Sequence, residues 1–233
     1  MPLMFLPDST WLLVIPALLF TLWAQSRVNS AYAKYSRVRA RSGITGAQAA
    51  RNLLAAAGLG HVAVQMGQGH LTDHYDPRKR VIRLSPEVFQ SSSLAALGIA
   101  AHETGHAIQH GKGYLPLALR NNFFPLANIG SRLAMPLFLI GFLFSAQGAS
   151  NFFMDLGILL FAFTVVFHII TLPVEFNASR RAIALLEGGN FLAGDEVKGA
   201  RQVLNAAALT YLAATAVALV HLFRLLILRG RRD

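Results

Sequence analysis

Four long apolar stretches punctuate an otherwise mixed chain. The first runs from about Leu3 to Ala24, broken by Asp8, and its clean part is Trp11 to Ala24. The second covers about Phe123 to Phe144, with Arg132 near its start. The third covers Phe152 to Val174, and the fourth Ala206 to Leu228, with His221 and Arg224 in its last turns. A helix that crosses a bilayer needs about 20 predominantly apolar residues. The second and third stretches meet that length; the first is short, and the fourth reads either as a span or as a buried helix. The link from Ser145 to Asn151 carries no charge and fits a tight external hairpin.

Between the first two apolar stretches the pattern changes character. Residues 45 to 57 are rich in Ala, with Leu53 and Leu54, and predict a helix capped by Thr45 and ended by Gly58. Val62 to Met66 and Val81 to Leu84 predict short strands. Gly67, Gly69, Asp76 and Pro77 mark turns between them. Ser93 to Gln109 predicts a second helix, capped by one of Ser91, Ser92 or Ser93 and stopped by Gly111 and Gly113. The expected organisation is therefore an N-terminal membrane anchor (1–25), a polar α+β lobe (26–121), a transmembrane hairpin (122–174), a further polar segment (175–205), a fourth apolar helix (206–228) and a basic tail (229–233).

Composition agrees with a membrane protein. Hydrophobic residues make up 54% of the chain and charged residues 14%, well below the roughly 25% charged of soluble domains. The net charge is +10. Much of the base falls between Arg27 and Arg120, next to apolar stretches, as expected for the cytoplasmic side of a membrane. No nucleic-acid-binding signature accompanies it. No Lys or Arg precedes the first apolar stretch, and Arg27, Lys34, Arg37, Arg39 and Arg41 follow it. A secretory signal has the opposite order, so this stretch reads as an uncleaved anchor with its N-terminus outside. A full fourth span would then put Arg229, Arg231 and Arg232 outside, against the positive-inside rule. The chain has no cysteine, so any protein-bound metal would rest on His and carboxylates.

Such a set is present. His102 and His106 flank Glu103 in His102-Glu103-Thr104-Gly105-His106. Four residues of helix rise about 6 Å and bring both imidazoles to one face, within reach of one Zn²⁺. Glu103 can then take a proton from metal-bound water and return it to a leaving amine. Chance predicts roughly 0.006 such patterns in a chain of this composition, so accident is a poor explanation. A catalytic zinc needs a third protein ligand. His110 lies about 12 Å further along the same helix and turned by about 80°, which makes it a helix-end histidine. Glu175, just after the third apolar stretch, is the stronger candidate. Asp73, Asp76, Glu87, Asp195 and Glu196 are its rivals.

These motifs together resemble the YugP-like neutral zinc metallopeptidases of bacterial membranes. The resemblance rests on Asp73 to Pro77, Leu84 to Val88, Ala101 to Ala107, Leu172 to Ser179 and Ala206 to Tyr211. It covers nearly the whole chain after the first anchor. The family is similar to gluzincin peptidases of the HtpX and CAAX-endopeptidase type. There, a glutamate on a later helix completes the zinc site within a Glu-x-x-x-Asp pattern. The resemblance implies His102, His106 and Glu175 as ligands and Glu103 as the general base. Ser179 stands where the wider group has Asp, so Ser179, Asn177 or another residue would have to orient a ligating histidine. The resemblance also implies that a strand ahead of the catalytic helix, here Val81, Ile82, Arg83 and Leu84, takes extended substrate by edge pairing. His74 and Tyr75 are candidate transition-state donors, with Tyr114, Arg180 and Tyr211 as further ones.

The expectation is a multi-pass α-helical membrane protein with a small α+β gluzincin-like zinc peptidase lobe. It would sit in the bacterial inner membrane with its active site on the cytoplasmic side. Zn²⁺ would be its cofactor, and peptides or membrane proteins its substrates. Nucleic acid is not expected as a partner. A membrane scaffold with a structural or absent metal is the competing class; such a site would be closed by four protein ligands, and only three good ones can be named.

Overall fold

The computed structural model describes residues 9–145 and 151–231. The expected hairpin link lies mostly outside the described residues. Seven α-helices and three strands are found among them: α1 (Trp11–Tyr35), α2 (Gly46–Ala56), β1 (Ala63–Met66), β2 (His74–Asp76), β3 (Val81–Leu84), α3 (Pro86–Phe89), α4 (Leu94–Gly111), α5 (Leu115–Ser145), α6 (Phe152–Gly188) and α7 (Asp195–Gly230). The protein is mostly helical, with a small three-stranded sheet and four helices (α1, α5, α6 and α7) long and apolar enough to cross a membrane. The chain divides into two compact units, one of residues 1–23, 119–172 and 210–233, the other of residues 24–118 and 173–209. Each of the four long helices contributes to both.

In the first unit, helices α5 and α6 approach closely where glycine removes the side chain. A Cβ on Gly157 would lie 2.7 Å from the carbonyl oxygen of Ala134 and 2.8 Å from the amide nitrogen of Phe138. Small residues at such points allow backbones of apolar helices to pack tightly. The C-terminal end of α7 lies beside the start of α1 and of α6. The Arg224 guanidinium donates to Thr10 Oγ1 at 3.0 Å and stacks 4.4 Å from the Trp11 ring centroid, and Arg229 pairs with Asp155 at 2.9 Å. Arg231 donates to Ser9 Oγ at 3.1 Å.

The second unit is built around α4. Ser93 caps it, its hydroxyl accepting from the Ala96 amide at 3.2 Å, which satisfies one of the orphan donors of a first turn. Leu94, Ala95, Leu97 and Ala101 pack into a cluster with Leu53, Ala182, Leu186, Leu192 and Val203. Ala96, Ala100 and Ala107 pack into another with Leu54, Ile82, Leu84 and Val88. A helix walled in on both sides is held rigidly, each buried Leu contributing about 1.5–3 kcal/mol. Helix α2 is closed as its sequence predicts: Thr45 and Gln48 form a reciprocal capping box, and Gly58 follows the C-cap at φ +73°.

Two expectations change. The stretch between the two predicted strands is not only turns: His74–Asp76 forms a strand antiparallel to β3. Three residues are too few for a readable alternation, and Tyr75 alone turns inward to the apolar cluster. The sheet order is β1-β3-β2. Val81 to Leu84 is therefore the central strand, parallel to β1 on one side and antiparallel to β2 on the other. Its backbone groups are used on both sides, so it has no free edge for a peptide. Its apolar composition reflects burial, since Val81, Ile82 and Leu84 are all buried. Residues 175–205, for which no secondary structure was expected, are largely helical continuations of α6 and α7. Ala178, Ala182 and Leu186 recur every four residues and are fully buried, an amphipathic stripe that extends the helix after the uninterrupted apolar run ends.

Candidate metal centre

His102 and His106 lie one turn apart on α4, with ring centroids 4.7 Å apart and planes at 86°. Glu175 reaches them from α6, and Gly105 makes that approach possible. A Cβ there would lie 2.7 Å from the carbonyl oxygen of Ala178 and 3.2 Å from its Cα. Without a side chain at Gly105 the two helices can touch backbone to backbone, one turn past Glu175. The carboxylate then sits between the rings: Glu175 Oε2 is 3.3 Å from His102 Nε2 and 3.5 Å from His106 Nε2.

These spacings suit an ion better than a proton. Charge-assisted N–H···O bonds run at about 2.7–2.9 Å. In a tetrahedral zinc site with bonds of about 2.0–2.1 Å, neighbouring ligand atoms are about 3.4 Å apart. His102, His106 and Glu175 offer three donor atoms within 4.8 Å of one another, the one such His/Asp/Glu cluster among the described residues. Two nitrogens and a carboxylate oxygen are a zinc donor set. The local field agrees. Burial disfavours a charged His106, but the adjacent Glu175 carboxylate and the Glu103 charge outweigh that and raise its pKa above the ordinary value. The site thus favours positive charge at this point.

The far sides of both imidazoles are held. Ser179 Oγ lies 3.2 Å from His102 Nδ1, at the position where the wider group has Asp. His106 Nδ1 lies 3.0 Å from Gln109 Oε1. The Gln109 amide in turn donates to the Val174 carbonyl at 2.8 Å and to Asn177 Oδ1 at 3.0 Å, and Arg181 donates to the same Asn177 oxygen at 2.7 Å. With Gln109 Oε1 able only to accept, His106 Nδ1 must carry the proton, which leaves Nε2 free to bind a cation. Gln109 is fully buried and was not legible beforehand, because a glutamine three residues after a histidine is no pattern by itself.

Glu103 is buried at 8% relative exposure, and its charge acts on both His106 and Asp73. Asp73 accepts from the Ser85 amide at 2.8 Å and from the Ser85 hydroxyl. Burial raises its pKa, the Ser85 bonds lower it, and the Glu103 charge raises it; the net direction is upward.

The rival ligands are engaged elsewhere. Asp76 caps the turn that follows it, accepting from the amides of Arg78 and Lys79. Glu87 pairs with His70, Asp195 with Lys198, and Glu196 accepts from the Arg41 amide. His110 lies outside the cluster, and its Nδ1 is 2.8 Å from the Tyr75 hydroxyl. Tyr75 thus ties β2 to the end of α4. His74, exposed on β2, has its Nδ1 2.7 Å from the Thr72 carbonyl.

Residues 10–230 match the family described as "Putative neutral zinc metallopeptidase". The chain belongs to this family. It is also 48% identical over 223 residues, covering 95% of this chain and 97% of its relative, to a protein of Bacillus subtilis (strain 168) named "Putative membrane protease YugP". No solved structure matches. The zinc metallopeptidase family and the His102, His106 and Glu175 cluster point to the same metal by independent routes, one from overall sequence and one from donor spacing.

Proposed function

We propose that this chain is a membrane-embedded zinc endopeptidase in which His102, His106 and Glu175 hold the metal and Glu103 is the general base. The observation that carries the reading is the donor triplet, with Glu175 3.3 and 3.5 Å from the two imidazole nitrogens, and a buried carboxylate next to one of its histidines in sequence. Zinc, when bound, polarises the scissile carbonyl and acidifies the attacking water. Glu103 takes the proton from that water as its oxygen bonds to the carbonyl carbon. It then delivers the proton to the amide nitrogen as the C–N bond breaks. Its burial removes competing water and strengthens both transfers. Ser179 and Gln109 keep the imidazoles oriented through the cycle.

Substrate would lie along β2. That strand is an edge of the sheet, whereas β3 is paired on both sides. An extended peptide can add to the open edge by main-chain hydrogen bonds, with His74 and Tyr75 beside it. The four apolar helices would anchor the enzyme in the bacterial inner membrane, with the active site on the cytoplasmic side, where the base between Arg27 and Arg120 would lie. The tail arginines would then be an exception to the rule, with Arg229 offset by its pair with Asp155.

A purely structural zinc would be closed by a fourth protein ligand. Among the described residues the cluster has three, which favours an open, catalytic position over the scaffold reading. Glu103→Gln separates the two. It should bind zinc as the wild type does and lose roughly 10²–10⁴-fold in peptide hydrolysis. Cleavage at the wild-type rate would overturn the mechanism.

A further inference from the structure

A groove of about 400 Å³ runs between α1 and α7, lined by Arg27, Ser30, Ala31 and Lys34 on one side and by Gln202, Asn205, Ala206 and Leu209 on the other, with Tyr35 at one end. Each wall is a single helical stripe at i, i+3, i+4 and i+7. Both stripes lie within the second unit. Tyr35 donates to Gln202 Oε1 at 2.9 Å, which fixes the pairing of the two stripes and sets the helices antiparallel. Leu209 and Ala206 therefore lie toward Arg27, and Gln202 toward Lys34.

That register grades the groove along its length. The apolar run of α1 ends at Ala24, three residues before Arg27, and the apolar stretch of α7 begins at Ala206. One end of the groove thus opens where both helices become apolar, and carries Leu209, Ala206 and a guanidinium. The other end is polar, with Gln202, the Tyr35 hydroxyl and an ammonium. Lys34 Nζ is held 5.0 Å over the Tyr35 ring. The two cations are two helical turns apart, about 10 Å. Its volume is that of a small-molecule site, typically about 300–1,000 Å³.

We propose that this groove binds the headgroup of an anionic phospholipid, with the phosphate taken by Arg27, the polar headgroup extending toward Lys34 and the Gln202 and Asn205 amides, and the first acyl carbons lying on Ala206 and Leu209. A soluble phosphate ester would satisfy the cations but leaves the apolar end without a purpose. The position at the end of two apolar helical runs favours the lipid. Basic pockets between helices at the membrane surface recognise such headgroups. The inference needs the four helices to enter a bilayer; it is independent of the peptidase reading and fails or stands separately from it.

The full chain, purified in detergent and stripped of lipid, would be titrated with phosphatidylglycerol, phosphatidylcholine and glycerol 1-phosphate, with bound lipid read by native mass spectrometry. The expected result is one phosphatidylglycerol bound in preference to phosphatidylcholine. The Arg27→Gln/Lys34→Gln variant should bind it roughly 30-fold more weakly, two surface cations at about fivefold each. Arg78→Gln/Lys79→Gln carries the same charge change on the turn before β3 and should bind like the wild type. Asn205→Phe fills the groove without changing charge and should also lose the lipid. Equal loss in the two double variants would mean non-specific attraction and overturn the site. So would equal binding of the two lipids by the wild type, or displacement of the lipid by glycerol 1-phosphate at equal concentration.

Discussion

Glu103 and Glu175 are two buried carboxylates, and their neighbours differ. Glu175 lies between two imidazole nitrogens, where a cation can be held. The Glu103 charge acts on Asp73 and on His106, the setting in which the proposed mechanism uses it as the base. His102, Glu103 and His106 were readable from sequence because all three sit within two turns of one helix. Glu175 was already the stronger candidate among several acids from its place after the third apolar stretch, and the resemblance strengthened it, since nothing local links a residue on α6 to a site on α4. Ser179 was readable only as a departure from a pattern, and Gln109 not at all. Gln109 yields a test. Gln109→Leu removes the acceptor that fixes the His106 tautomer and should weaken zinc binding about 10–100-fold, measured by competition with a chelator; unchanged affinity would reduce Gln109 to packing. Asp73 yields another. A carboxyl whose folded pKa is raised lends stability at low pH that is lost as pH rises through the folded value. Asp73→Asn keeps an oxygen for the Ser85 amide and removes that loss. The variant should be more heat-stable than the wild type at pH 7–8, with the gap closing toward about pH 4. A gap that stays constant with pH in thermal unfolding would contradict the assignment.

At the scale of elements, the long helices and α4 announce themselves through period and length, and their caps at Thr45 and Ser93 are where the sequence suggests. Strand β2 was hidden by its brevity. That mattered, because the strand with the clearest apolar pattern, β3, turned out to be central for the reason that made it legible: burial on both sides. The edge, where substrate would add, is polar and short, as exposed edges tend to be. The contact of α4 with α6 depends on Gly105. Gly105→Ala would push a methyl against the Ala178 backbone, where neither helix can yield like a flexible side chain. We expect a loss of about 1–3 kcal/mol in stability together with weaker zinc binding, because the same shift carries Glu175 away from the histidines. Thermal unfolding and zinc titration of this variant check both. A destabilised protein with wild-type zinc affinity would show that the helix contact does not position the ligand.

At the scale of the molecule, the two compact units differ in composition. Residues 26–121 carry much of the base, and the apolar stretches carry little of it. The boundary falls within helices, which sequence could not reveal, because α6 changes from an all-round apolar surface to an amphipathic one without a break. His102 and His106 come from residues 26–121, and Glu175 from a helix continuous with a candidate span. Zinc binding would therefore tie the two parts of the second unit's sequence together. The central claim is that this tie is a three-ligand zinc centre. Its most direct measurement is zinc per chain, by elemental mass spectrometry, on wild type and Glu175→Ala purified without chelators. The account predicts about one zinc in the wild type and clearly less in a variant that remains folded. Equal zinc in both, or none in the wild type, would contradict it.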